Sequence, residues 1–198
     1  MNLPNRLTLA RLIMTPLFFV AFNLPQWFGT NLQTLSTILV LLLFIAIEAT
    51  DLLDGIIARK RNMVTDLGKV MDPFADTFAR LTYFVCLMSV GIFPIIAFVI
   101  IFWRELAQSF VRSLLMREGK ALPANIWGKS KAVLYAVSAV AGVLYLILVR
   151  SVPDFSYLSK IHLILNILFY LSAFASIASF FTYIFEIKKS GILNHLSR

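Results

Sequence analysis

A single cysteine, Cys86, leaves no room for an internal disulfide framework or a cysteine-rich metal site. It reads as a small apolar packing residue inside a helix. Histidine is almost as scarce: His162 and His195 stand far from the acidic stretch described below, and neither receives a role. Charge is thin as well. Only 14% of the 198 residues are charged and 60% are hydrophobic, whereas soluble domains carry about a quarter charged residues. With a mean hydropathy of +0.85, this composition excludes an ordinary soluble domain and points to a membrane protein. The formal charge of +8 comes from basic residues that flank apolar runs, which suits cytoplasmic loops and anionic headgroups better than nucleic acid. Repeats, low-complexity tracts and soluble linker domains are missing too. The first apolar run is longer than a signal-peptide core and has no evident small-residue cleavage site, so the N-terminus is expected to be retained.

What is present is a series of apolar runs of about twenty residues each, the length that crosses a bilayer as helix. They span about Leu12 to Phe28, Leu35 to Ala58, Gly68 to Val90, a run from Pro94 to Leu115, Ala132 to Val149, and Leu163 to Phe185. A short segment with Arg6 and Arg11 precedes the first, and Asn5 or Thr8 is expected to cap it. Gly91-Ile92-Phe93-Pro94 predicts a tight link, and Arg117 to Lys131 a long basic one. With the N-terminus inside, fourteen Lys and Arg fall on inner segments and two, Arg150 and Lys160, on outer links. The expectation is an all-α integral membrane fold. It has six transmembrane helices after a short N-terminal interfacial segment, N-in and C-in, and forms one domain over 1–198.

The residues that demand an explanation are Asp51, Asp54, Asp72 and Asp76, at the adjoining ends of the second and third spans. An Asp at the centre of a membrane helix costs about 2.5–3.5 kcal/mol on insertion scales. Its side chain is also too short to reach back to the interface. On helices, the spacings of three and four place each pair on one face, and the Lys60–Leu67 link lets the two faces meet. By helix rise, Asp51 and Asp54 sit roughly 8–12 Å from the basic edge, lining a cavity open to the cytoplasm. Hard oxygen ligands without His or Cys suit two divalent cations, Mg²⁺ or Mn²⁺, with phosphate or water completing the coordination. Gly55, Ala58 and Gly68 leave open surface for a ligand or another backbone, and Arg59 offers a fork suited to phosphate oxygens. Asp66 lies outside this pattern and reads as solvated; Glu48, one turn before Asp51, reads equally as support for the site or as a helix-pairing residue.

The set spells D-x2-D-G-x2-A-R-x8-G-x3-D-x3-D, which resembles the signature of the CDP-alcohol phosphotransferase family at all eight positions. The six-span layout also looks like that family. The resemblance implies that Asp51, Asp54, Asp72 and Asp76 bind metal, that Asp76 is also the general base, and that Gly55, Ala58, Arg59 and Gly68 receive the cytidine nucleotide. It further implies displacement at the phosphorus of a CDP-linked lipid by an alcohol with release of CMP, and a homodimer.

The opening N-L-P-N-R-L-T-L-A-R, the Arg104-Glu105 pair followed by Arg112, and the G-K-S-K at Gly128 to Lys131 are similar to bacterial phosphatidylglycerophosphate synthases. That implies CDP-diacylglycerol and glycerol 3-phosphate as substrates, in the cytoplasmic membrane. A phosphorylated acceptor needs cations of its own, and Arg104, Arg112, Lys129 and Lys131 are the candidates. Arg104 can alternatively pair with Glu105 or another helix, and Lys129 and Lys131 can be interfacial anchors. Thr77 stands where those synthases commonly have Lys. Inositol phosphate, serine, or a CDP-choline or CDP-ethanolamine donor with diacylglycerol therefore remain alternatives. So does a divalent-cation transporter.

Overall fold

The computed structural model describes residues 2–60, 65–117 and 126–189. Its regular structure is helical throughout: α1 (Leu3–Phe28), a 3₁₀ turn (Thr30–Leu32), α2 (Gln33–Lys60), α3 (Asp66–Ser89), α4 (Ile95–Arg117), α5 (Ile126–Ser151) and α6 (Leu158–Lys189). Each helix matches one apolar run, and most boundaries move outward, whereas the end of α3 and the start of α4 each fall one residue inside their runs. The expected N-terminal segment is continuous with the first run, because Pro4 sits in the first turn, where a missing N–H costs nothing. Asn2 caps this helix by accepting from the Asn5 amide at 3.1 Å, so the expected caps Asn5 and Thr8 are displaced from that role. Both are buried and point inward instead. At α5 the helix starts at Ile126, which puts Gly128 to Lys131 on its first turns and not in a link.

Among the described residues, four stretches are long and apolar enough to cross a membrane: Leu3–Phe28, Thr30–Ala58, Ser130–Ser151 and Leu158–Thr182. The six-span expectation is met only to that extent. The other two helices carry charges within their apolar stretches, Asp72, Asp76 and Arg80 on α3, and Arg104, Glu105 and Arg112 on α4. Charges at those positions lower the apolarity of any window that contains them.

α1 packs chiefly against α2 and α3, α6 against α5 and α4, and α3 joins the two groups through α4 and α5. Aromatic contacts fill the seam. Tyr83 meets Phe18 and Phe44 edge-on at 4.9 and 5.0 Å, while Phe93 stacks 4.5 Å from Phe84 and 4.3 Å from Phe169. Phe93 reaches that seam because the link before it is tight. Gly91 takes a positive φ of 74°, and the Ile92 amide donates back to the Leu87 carbonyl at 2.9 Å. Leu42, Ile45, Trp103, Leu144, Ile164 and Phe174 face outward from the bundle. So large an outward apolar surface fits a lipid environment.

Candidate active site

One face of α1 builds the floor of the site. Asn5, Thr8, Arg11 and Thr15 recur at helical spacing and are all buried, an unusual stripe for an apolar helix. Asn5, Thr8 and Arg11 meet successive levels of the α2–α3 pair, while the Thr15 hydroxyl donates to the Arg11 carbonyl at 2.8 Å. At the lowest, the Asn5 amide group donates to Thr65 Oγ1 at 3.1 Å, and Thr65 caps α3 by accepting from the Gly68 amide at 3.0 Å. Gly68 lets the helices approach closely here: a Cβ would stand 3.0 Å from Asn5 Oδ1 and 3.2 Å from Thr65 Oγ1, tight enough that either side chain would have to shift. Its open surface therefore receives α1. At the next level the Thr8 hydroxyl lies 2.5 Å from Asp72 Oδ1, 3.2 Å from the Pro4 carbonyl and 3.3 Å from Asp54 Oδ2, three acceptors for its one proton.

The third level joins the remaining acids. Arg11, 1% exposed, sets Nη1 at 2.8 Å from Asp51 Oδ1 and 2.9 Å from Asp76 Oδ1, and its Nη2 pairs with Asp54 Oδ2. A guanidinium thus gathers carboxylates from two helices, and Arg80 adds a looser contact, 3.9 Å from Asp76 Oδ2. The four acids expected to share a site do share one. Because Arg11 stands between them, no group of three carboxylates among the described residues is close enough to hold one ion as they stand. The donor set nevertheless fits divalent cations. Every side-chain donor is a hard oxygen, and a cation already occupies the space between Asp51 and Asp76. Four carboxylates against two guanidinium groups also leave a surplus of negative charge.

Gly55 and Ala58 follow Asp54 along α2 and are half-buried; Arg59 lies on the same helix with its side chain outside the described residues. Asp66, at the start of α3, is exposed as expected and ion-paired to Lys69 at 2.8 Å, which holds its carboxyl below the usual range.

Beside the acids lies a cavity of about 350 Å³ between α3, α4 and α5. Asp76, Thr77, Arg80, Arg104, Arg112 and Lys131 are among its lining residues. Three of the four cations assigned to an acceptor phosphate are thereby brought to one space with Asp76. The side chain of the fourth, Lys129, lies outside the described residues. Arg104 lines the cavity and also makes the pairing expected of it as the alternative, donating from Nη1 to Glu105 Oε1 at 2.8 Å and from Nη2 to Ser179 Oγ at 3.0 Å. Lys131 reaches the same Glu105 oxygen at 2.5 Å, so it belongs to a buried cluster and not to an interfacial anchor. Three buried polar atoms of the cavity lining, Arg104 Nε, Gln108 Oε1 and Tyr135 Oη, lack a hydrogen-bond partner among the described residues, as a pocket awaiting a polar ligand would leave them.

Sequence reasoning missed Arg11, Thr8 and Asn5 as parts of the site, along with Arg80 and Gln108, and it placed Glu105 only as a partner of Arg104. For the first three the signal was there, as a polar residue at every third position of an apolar helix.

Comparison with known proteins bears on this geometry. A model of the CDP-alcohol phosphatidyltransferase family matches residues 1–183. Proteins named CDP-diacylglycerol–glycerol-3-phosphate 3-phosphatidyltransferase are similar to the chain. That of Treponema pallidum is 30% identical over 93% of this chain and 88% of its own length. That of Bacillus subtilis is 35% identical over 70% and 76%, and that of Rickettsia bellii 30% identical over 95% and 96%.

Proposed function

This chain belongs to the CDP-alcohol phosphatidyltransferase family, and we propose that it transfers the phosphatidyl group of CDP-diacylglycerol to glycerol 3-phosphate, giving phosphatidylglycerophosphate and CMP. The names of its relatives support both substrates. The observation that carries the reading is the shared cavity, which joins a carboxylate of the acidic cluster to a set of cations. Arg80, Arg104, Arg112 and Lys131 face Asp76 and Glu105 there, a surplus of two positive charges that matches a phosphate monoester dianion. Serine or diacylglycerol would leave that surplus unanswered.

Asp76 borders both the acidic cluster and the cavity, so it can take the proton of the acceptor hydroxyl as that oxygen attacks phosphorus. Arg104, Arg112 and Gln108 from α4, with Lys129 and Lys131 from α5, hold the acceptor phosphate. Gly55, Ala58, Arg59 and Gly68 form the nucleotide side, Gly68 by letting α1 close beneath it. Bound at Asp51, Asp54, Asp72 and Asp76, two Mg²⁺ or Mn²⁺ ions would neutralise the diphosphate and the departing CMP.

The chain forms a single domain with six spans, both termini and the site on the cytoplasmic side of the cytoplasmic membrane, and works as a homodimer. The fourteen-to-two split of Lys and Arg supports that orientation.

An acceptor panel tests the reading. Purified protein with CDP-diacylglycerol and Mg²⁺ should release CMP with glycerol 3-phosphate and far less with serine, inositol phosphate or water. Equal or greater release with another acceptor would overturn the assignment.

A further inference from the structure

Arg11 is a costly residue where it stands. It is buried, lies on an apolar helix, and spends its charge on three carboxylates that the proposed function assigns to metal. Removing four acids from water onto adjoining helix faces without a counter-charge is prohibitive, so a metal-free chain needs a cation of its own. The same cation then obstructs any ion that enters, because its Nη1 lies between Asp51 Oδ1 and Asp76 Oδ1. It must have somewhere to go. A small cavity of about 10 Å³, room for one water at most, is lined by Arg11, Asp51, Asp76, Arg80, Ile47, Ala79 and one further acid, Glu48. It marks the direction of a shift, and side-chain movement must widen it. Glu48 lies one turn before Asp51 on α2 and takes part in none of the ion pairs that hold the aspartates.

We propose that Arg11 is a resident cation of the aspartate site, holding Asp51, Asp54 and Asp76 together until divalent ions displace its guanidinium toward Glu48. The inference rests on the metal reading of the aspartates. It makes Arg11 and Glu48 positioning residues that set how much metal the site requires, a role distinct from touching substrate. Loss of Arg11 frees the carboxylates for metal while weakening the metal-free fold. Loss of Glu48 leaves the displaced guanidinium unpaired, so it holds the aspartates more firmly.

Binding of Mn²⁺ to the purified full-length chain, read from the electron paramagnetic resonance of the free ion, tests this. Arg11→Gln should bind Mn²⁺ about tenfold tighter and Glu48→Gln about tenfold weaker, with the double variant matching Arg11→Gln alone. In chelator, Arg11→Gln should melt below wild type, and saturating Mn²⁺ should close the gap. Unchanged or weaker binding by Arg11→Gln would overturn the proposal, and so would a Glu48→Gln effect that persists without Arg11. If Arg11→Gln does not fold, Glu48→Gln decides alone: weaker binding supports the displacement and unchanged affinity refutes it. Failure of the wild-type chain to bind Mn²⁺ would instead remove the metal reading beneath it.

Discussion

Glu105→Gln is the substitution whose consequences the cavity defines best. The Glu105 side chain is 9% exposed, and one of its oxygens accepts from Arg104 at 2.8 Å and from Lys131 at 2.5 Å. A glutamine there can still accept a hydrogen bond but carries no charge, so two buried cations lose their counter-ion. Breaking a buried pair in this way costs about 3–5 kcal/mol, and in a chain of this size each kcal/mol moves the melting temperature by about 2–4 °C. The melting temperature should therefore fall by about 6–20 °C, measured by thermal unfolding in detergent. The direction of ligand rescue discriminates further. In wild type, glycerol 3-phosphate competes with Glu105 for Arg104 and Lys131; in Glu105→Gln its phosphate supplies the missing charge. Glycerol 3-phosphate should thus raise the melting temperature more in the variant than in wild type. A loss below about 1 kcal/mol, or equal protection of both proteins, would refute the assignment of these cations to the acceptor.

Asp76→Asn should lower turnover by about 10²–10⁴-fold, the span of a general base, while binding of CDP-diacylglycerol remains measurable; near-normal turnover would remove Asp76 from that role. Arg112→Ala should raise the KM for glycerol 3-phosphate by about ten- to a hundredfold, as loss of one charge-assisted hydrogen bond does, and should raise the KM for CDP-diacylglycerol much less. An equal rise in both would argue against the acceptor pocket. Phe93→Ala empties the seam between Phe84 and Phe169 and should cost about 3–5 kcal/mol of stability, read by thermal unfolding, with the KM values unchanged in the protein that remains folded.

The helices and the acidic cluster were legible because both follow from one-dimensional rules. Apolar runs of bilayer length announce helices, and acids at spacings of three and four must share a face. The tight turn at Gly91 was legible for the same reason, since local chemistry decides it. What escaped was everything that depends on which helix faces which. Arg11 looked like a flanking charge until α1 was seen to lie across α2 and α3, and Thr8 looked like a cap. Arg104 and Lys131 were recognised as cations of one pocket and Glu105 as a partner open to Arg104, but that Lys131 shares Glu105 was not, because 26 positions separate the two. Helix ends were misjudged where a charged turn stays helical, as at the start of α5, because hydropathy marks where a helix is apolar and not where its hydrogen bonds stop.

The most direct measurement is the yield of CMP from CDP-diacylglycerol and glycerol 3-phosphate by the purified protein, first stripped with chelator and then given Mg²⁺ or Mn²⁺. The expected result is no CMP from the stripped protein, and CMP equal in amount to phosphatidylglycerophosphate once either ion is restored. Undiminished release in chelator would contradict it.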